Sequence, residues 1–108
     1  MTVSKLCEKT GLTAVSIPDG DREIDGVYCG DLLSWVMGKA DCGNAWITIM
    51  SNINVIAVAS LCDVSCVILS EGVRLDEDAQ KAASDKGINI LSSEKSSYEI
   101  AAMLSKVL

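Results

Sequence analysis

Two periods alternate along this chain. Short runs of apolar, β-favouring residues give way to stretches whose apolar positions recur every three or four residues, and the changeovers fall at Gly, Asn, Asp or Ser. Such alternation predicts βα units around a mostly parallel sheet. Thr2 or Ser4 is placed to cap a first helix running to about Lys9, and Gly11 to end it. Residues 12–17 and 24–29 predict strands, the first followed by the turn Pro18-Asp19-Gly20-Asp21. Residues 32–39 predict a helix, 45–50 a strand, and 53–61 a helix with almost no polar face. The run SCVIL at 65–69 has the continuous apolar character of a strand covered on both sides. A helix then starts at the acidic turn Asp76-Glu77-Asp78, carries a narrow stripe of Ala79, Ala82 and Ala83, and stops at Gly87. A strand at 88–91 and a C-terminal helix opened by the capping box Ser96 to Glu99 complete the pattern.

A helix that is apolar all round must be covered on all sides. For the helix at 53–61 this predicts a symmetric homodimer joined through Ile53, Val55, Val58 and Leu61, with the helix at 32–37 adding to the patch. The alternative is cover from within, by a C-terminal helix carrying Ile100, Met103, Leu104 and Val107.

Composition narrows the reading. The chain has 108 residues, 49% of them hydrophobic and none of them Phe, so one domain spanning 1–108 with an aliphatic core around Trp35 and Trp46 is expected. A net charge of -6 without any basic block excludes the cationic surface that a phosphate backbone demands, so no nucleic-acid partner is expected. No apolar segment is long enough to span a membrane, and the N-terminus has no apolar stretch of a signal peptide, which predicts a cytoplasmic protein without membrane contact. Cys7, Cys29, Cys42, Cys62 and Cys66 are odd in number and irregularly spaced, as reduced thiols are. Cys62 and Cys66 lack the further partners a metal site needs, so no metal or other cofactor is expected.

In an open parallel sheet, ligands gather beyond the carboxyl ends of the strands. Those ends carry Asp31, Thr48, Ser51, Asn52, Asn54, Ser70 and Gly72, groups that offer hydrogen bonds with little fixed charge and suit a small metabolite or nucleotide. The same residue types also make turns and caps anywhere, and Asp31 has the position of a helix cap. Asn52 and Asn54 make the strongest pair, since one amide is enough to start a helix. Without His there is no Ser-His or Cys-His nucleophile pair, and the glycines form neither a Walker loop nor a dinucleotide fingerprint, so no enzyme is expected. The carboxylates Asp19, Asp21, Glu23 and Asp25 offer at most a weak divalent-cation site.

The order DREIDGVYCGDLLSWVM, AWITI with its following helix, VILSEGVRLDEDAQKAASDKGINIL and the closing SSYEIAAML resembles the DRTGG domain. The resemblance runs over nearly the whole chain. It implies an α/β class fold, a three-layer α/β/α sandwich with a mostly parallel central sheet of about five strands, similar to the N-terminal domain of HPr kinase. It also implies a regulatory role without catalysis. The family's Asp-Arg aligns with the loop Ser51-Asn52-Ile53-Asn54 and its Thr-Gly-Gly with Ser70-Glu71-Gly72, so only Gly72 survives from the motif, and Asp21-Arg22 is not the eponymous pair. The expected function is a free-standing, ligand-sensing domain that acts in trans on a partner protein; the alternative is a pure protein–protein interaction module with a vestigial ligand loop.

Overall fold

The computed structural model describes residues 1–108. Its elements run α1 (Val3–Thr10), β1 (Thr13–Ser16), β2 (Val27–Cys29), α2 (Leu33–Lys39), β3 (Ala45–Thr48), α3 (Ile53–Cys62), β4 (Cys66–Leu69), α4 (Glu77–Lys86), β5 (Ile90–Ser92) and α5 (Ser97–Val107). The strands form one five-stranded sheet in the order β1-β5-β4-β3-β2. From β2 to β5 each strand lies parallel beside the last, with a helix between, and β1 closes the far edge antiparallel to β5. The second strand is shorter than its apolar run predicts, because Ile24 leaves the sheet to pack in the core while Glu23 bridges Thr2.

Alternation along the central strands builds two cores. Trp46, Val67, Leu69 and Ile90 face α2, α3 and α4, whereas Ala45, Ile47, Cys66, Ile68 and Leu91 face α1 and α5. This is the three-layer α/β/α sandwich, with a mixed and mostly parallel sheet. Local bonds start and stop its helices: Thr2 accepts the Lys5 N–H, Asn52 accepts the Asn54 N–H, and Ser96 and Glu99 close a full capping box. Trp46 is fully buried, and its indole N–H donates to the Gly30 carbonyl at 2.8 Å, so the largest core side chain also fixes the turn after β2.

The apolar helix α3 lies between α2 and α4, and the C-terminal helix packs on the opposite face, so α5 does not cover it. Val55 and Val58 point into the core, Val58 being only 7% exposed, and neither is available to a partner. The sheet needs one side of α3 for its own burial, which selects Val55, Ile56, Val58 and Ala59. The outward stripe is Ile53, Ala57 and Leu61, with Leu61 71% exposed. Beside it α2 exposes Trp35 and Met37, and the Lys39 ammonium sits 5.3 Å from the centre of the Trp35 ring.

Candidate functional site

The carboxyl end of the sheet has two unlike halves. Over β2 and β3, Asp31 does not cap α2; Leu32 holds the cap position without a side-chain bond. One Asp31 carboxylate oxygen instead accepts the Thr48 hydroxyl and the Ile49 N–H, both at 2.9 Å, and the Thr48 oxygen in turn accepts the Met50 N–H. Asp31 and Thr48, paired across adjacent strands, therefore fasten the loop that leads to α3. Asn52 is occupied as the cap of α3, and the Ser51 carbonyl accepts the Asp76 N–H at 3.1 Å, tying the approaches to α3 and α4 together. Asn54 is exposed, with its side chain free of bonds within the protein.

Over β4 and β5 the chain turns at Ser70-Glu71-Gly72-Val73, where the Val73 N–H reaches the Ser70 carbonyl and both central residues have positive φ, 60° at Glu71 and 70° at Gly72. These are the features of a type I′ turn. Gly72 has a second reason to be glycine: the Glu94 carboxylate packs where a β-carbon would stand. The Ser70 hydroxyl is fully buried and meets that of Ser97 at 2.9 Å, pinning the turn to the start of α5.

Between this turn and β1 opens a cleft of about 390 Å³. Its floor is Leu69 and Leu75, its walls include Val15 and Val73, and Thr13, Arg74, Gln80, Ser92 and Glu94 bring polar groups to it. The register of β1 on β5 slips between Ala14 and Ser16, leaving Val15 without a partner at the edge of the cleft. The protein's two ion pairs are Met1 amine with Glu23 and Arg22 with Asp63, so Arg74 and Glu94 line one cleft and neither is spent on a partner. Of the seven residues expected to hold a ligand, the structure brings Asp31 and Thr48 together, places Ser70 and Gly72 in one turn, and sets Ser51, Asn52 and Asn54 on the lead into α3. Gly72 alone reaches the cleft. Sequence reasoning missed Thr13, Arg74, Gln80, Ser92 and Glu94; the one local sign was Arg74, one of two arginines, set in a turn beside acidic neighbours.

At the opposite, amino end of the sheet the polar groups are consumed. Arg22 donates to the Asp63 carboxylate at 2.9 Å and to the Asp63 carbonyl at 2.8 Å, and the Cys42 thiol donates to the other Asp63 oxygen at 3.2 Å. The Arg22 guanidinium, with the Cys42 thiol second, holds the Asp63 carboxyl below its ordinary range. Hydrogen bonding to Asp63 raises the Cys42 thiol, burial raises Cys7, Cys29 and Cys62, and burial pushes Cys66 up to about 12. All five cysteines are free thiols. The carboxylates at 19–25 do not gather around a common point, and no three metal-ligating side chains converge. No helix is long and apolar enough to cross a membrane.

The fold is that of a known regulatory region. The structure superposes on the crystal structure of the CBS and DRTGG domains of the regulatory region of Clostridium perfringens pyrophosphatase, complexed with its activator diadenosine tetraphosphate. The TM-score is 0.77 at 13% sequence identity, covering 99% of this chain and 47% of that one, so the chain spans about half of that region. No curated protein matches the chain. The DRTGG domain family model matches residues 33–107, from the start of α2 to the end of α5, which leaves Asp21-Arg22 outside the match. That match takes in α2 to α5 with the three parallel strands β3, β4 and β5, and this chain belongs to the DRTGG domain family.

Proposed function

We propose that this chain is a regulatory domain without chemistry of its own, which takes up a small metabolite or nucleotide and reports its occupancy in trans to a partner protein. The observation that carries the reading is the cleft beyond the carboxyl ends of β4 and β5, where a parallel sheet binds ligands and where Arg74 stands unpaired. That the pyrophosphatase region of like fold was crystallised with a nucleotide activator supports a sensing role. The test is a thermal-shift screen with nucleotides and metabolites on the protein and on Arg74→Ala. A ligand at a hundredfold excess over its Kd stabilises the fold by about 2.7 kcal/mol. Arg74→Ala is expected to melt like the parent and to lose that shift; a shift that survives the substitution places the ligand elsewhere and refutes the cleft.

A second reading has its own observation. The stripe Ile53, Ala57 and Leu61 has a large residue at each end and a small one in the middle, so two copies of α3 can cross at Ala57 about a two-fold axis, Ile53 of one lying toward Leu61 of its partner. Helix α3 carries no charge to oppose this contact. Light scattering is expected to show a homodimer, and Leu61→Glu a folded monomer. Val58→Glu is expected to unfold the chain, because Val58 is in the core.

A further inference from the structure

The cleft is electrically balanced. It holds one cation, Arg74, and one carboxylate, Glu94, and these do not close on each other. Around it the field is negative: Glu71, Asp76, Glu77 and Asp78 lie within a few residues of Arg74, and the chain as a whole carries -6. Lys81 and Lys95, which follow the lining residues Gln80 and Glu94, offset part of that charge. A polyphosphate brings several negative charges to a site with one cation, and two amides of the adjoining turn are taken. The Glu71 N–H donates to the Lys95 carbonyl and the Gly72 N–H to the Ser93 carbonyl. The remaining lining is mixed: Val15 and Val73, with Leu69 and Leu75 buried beneath, stand beside the polar side chains of Thr13, Gln80 and Ser92.

Resting on the reading that this cleft is the ligand site, we propose that its ligand is a zwitterion with an apolar side chain, an aliphatic α-amino acid. Its carboxylate accepts from the Arg74 guanidinium, whose planar fork matches two oxygens. Its ammonium donates to Glu94, with the Thr13 and Ser92 hydroxyls, which face each other across the β1–β5 register, at the edge of the same space. Its side chain lies against Val15 and Val73, the apolar side chains that the cleft leaves accessible, and removes their area from water. The complex is neutral inside the cleft, whereas a nucleotide leaves phosphate charge unmatched beside Glu94 and the acidic start of α4.

L-leucine is the probe, against 4-methylpentanoate, which lacks the ammonium, 3-methylbutylamine, which lacks the carboxylate, and ATP. Binding is read by calorimetry and by amide chemical shifts in the full chain. L-leucine is expected to bind and to move the Gly72, Val73 and Ser92 amides, with each analogue weaker by about tenfold to a hundredfold, the usual cost of one hydrogen bond to a charged group. Arg74→Gln and Glu94→Gln, both at exposed positions, are expected to fold and to weaken L-leucine by similar factors. If ATP binds through Arg74 and L-leucine does not bind at millimolar concentration, the zwitterion is wrong while the cleft stands. L-leucine bound equally by parent and both variants, or no binding by any probe, overturns the proposal.

Discussion

The two ends of the parallel sheet are built from similar residues and do opposite things with them. At the amino end Asn44, Ser65 and Asn89 stand immediately before β3, β4 and β5, and all are buried. Asn44 joins Asp41 to Asp25, Ser65 donates to the carbonyls of Glu23 and Gly43, and Asn89 bonds both backbone groups of Asp19 and the Ser65 carbonyl. The only arginine at that end is bound to Asp63. At the carboxyl end Thr48 and Ser70 are equally buried and bonded, but the second arginine, a glutamate and the hydroxyls of Thr13 and Ser92 face an open cleft. A polar group whose bonds are all made inside the protein holds the loops in place. One with bonds left over is available to something else.

Substitution separates the ends most sharply at Asn89. Asn89→Ala removes three hydrogen bonds and strands the buried Ser65 carbonyl together with the half-buried backbone bonds of Asp19, so a loss of about 2–3 kcal/mol is expected in urea unfolding. Arg74→Ala at the other end is expected to change stability by less than about 0.5 kcal/mol, as exposed sites without partners do. Comparable losses at the two positions would erase the contrast.

Gly72 and Gly87 give the next largest effect and divide it. Both have positive φ, 70° and 72°, but a β-carbon at Gly87 meets open space while one at Gly72 meets the Glu94 carboxylate. Gly87→Ala is expected to cost about 1 kcal/mol, the price of a left-handed backbone alone. Gly72→Ala should cost more and should also displace Glu94, lowering affinity for any ligand that Glu94 holds. Equal costs in the two variants would mean that Glu94 yields freely and shapes nothing.

What could be read from the chain beforehand follows the same division between local and distant bonds. The capping box at Ser96, the stop at Gly87 and the alternation from β3 to β5 were legible, because each depends on residues a few positions apart. The family resemblance rested on that order of elements. The cleft was not legible: Thr13 and Ser92 meet through an antiparallel pairing that joins opposite ends of the chain, and no local pattern encodes it. Nor was the role of Asp31, which had the position of a cap but bonds to the neighbouring strand's Thr48. In α3, uniformly apolar, the sequence carried no mark of which side faces the sheet. The depth of the sheet below decided that Val55 and Val58 go in while Ile53 and Leu61 stay out.

The clasp at the amino end predicts a pH dependence of modest size. Asp63 titrates below its ordinary range because Arg22 and then Cys42 bond its charged form. A carboxyl depressed on folding stabilises the protein above its unfolded pKa, about 3.8, and that contribution is lost as pH falls through the lower folded value. Asp63→Asn keeps a residue type that accepts the left-handed backbone, φ 56°, and keeps the carbonyl bond to Arg22. Near neutral pH it is expected to cost under about 1 kcal/mol, since the pair is exposed to solvent. The gap between parent and variant should close in acid, below the folded pKa of Asp63. A gap that persists there would assign the effect to packing.

The smallest effect has the opposite sign. Glu71 holds a positive φ of 60° at a position where the family motif has glycine and a type I′ turn favours it. A left-handed backbone costs a non-glycine residue about 1–2 kcal/mol, and glycine returns part of that gain through its greater freedom when unfolded. Glu71→Gly should therefore stabilise the protein by about 0.5 kcal/mol, in contrast to every substitution above. It also removes one of the negative charges near Arg74. If those charges help to turn polyphosphates away, the variant will bind ATP more tightly at low salt than the parent does, and the gain will fade as salt is added. A strained residue kept for its charge explains both changes together. Stabilisation without any change in ATP binding would leave Glu71 as strain that serves no selection at the cleft.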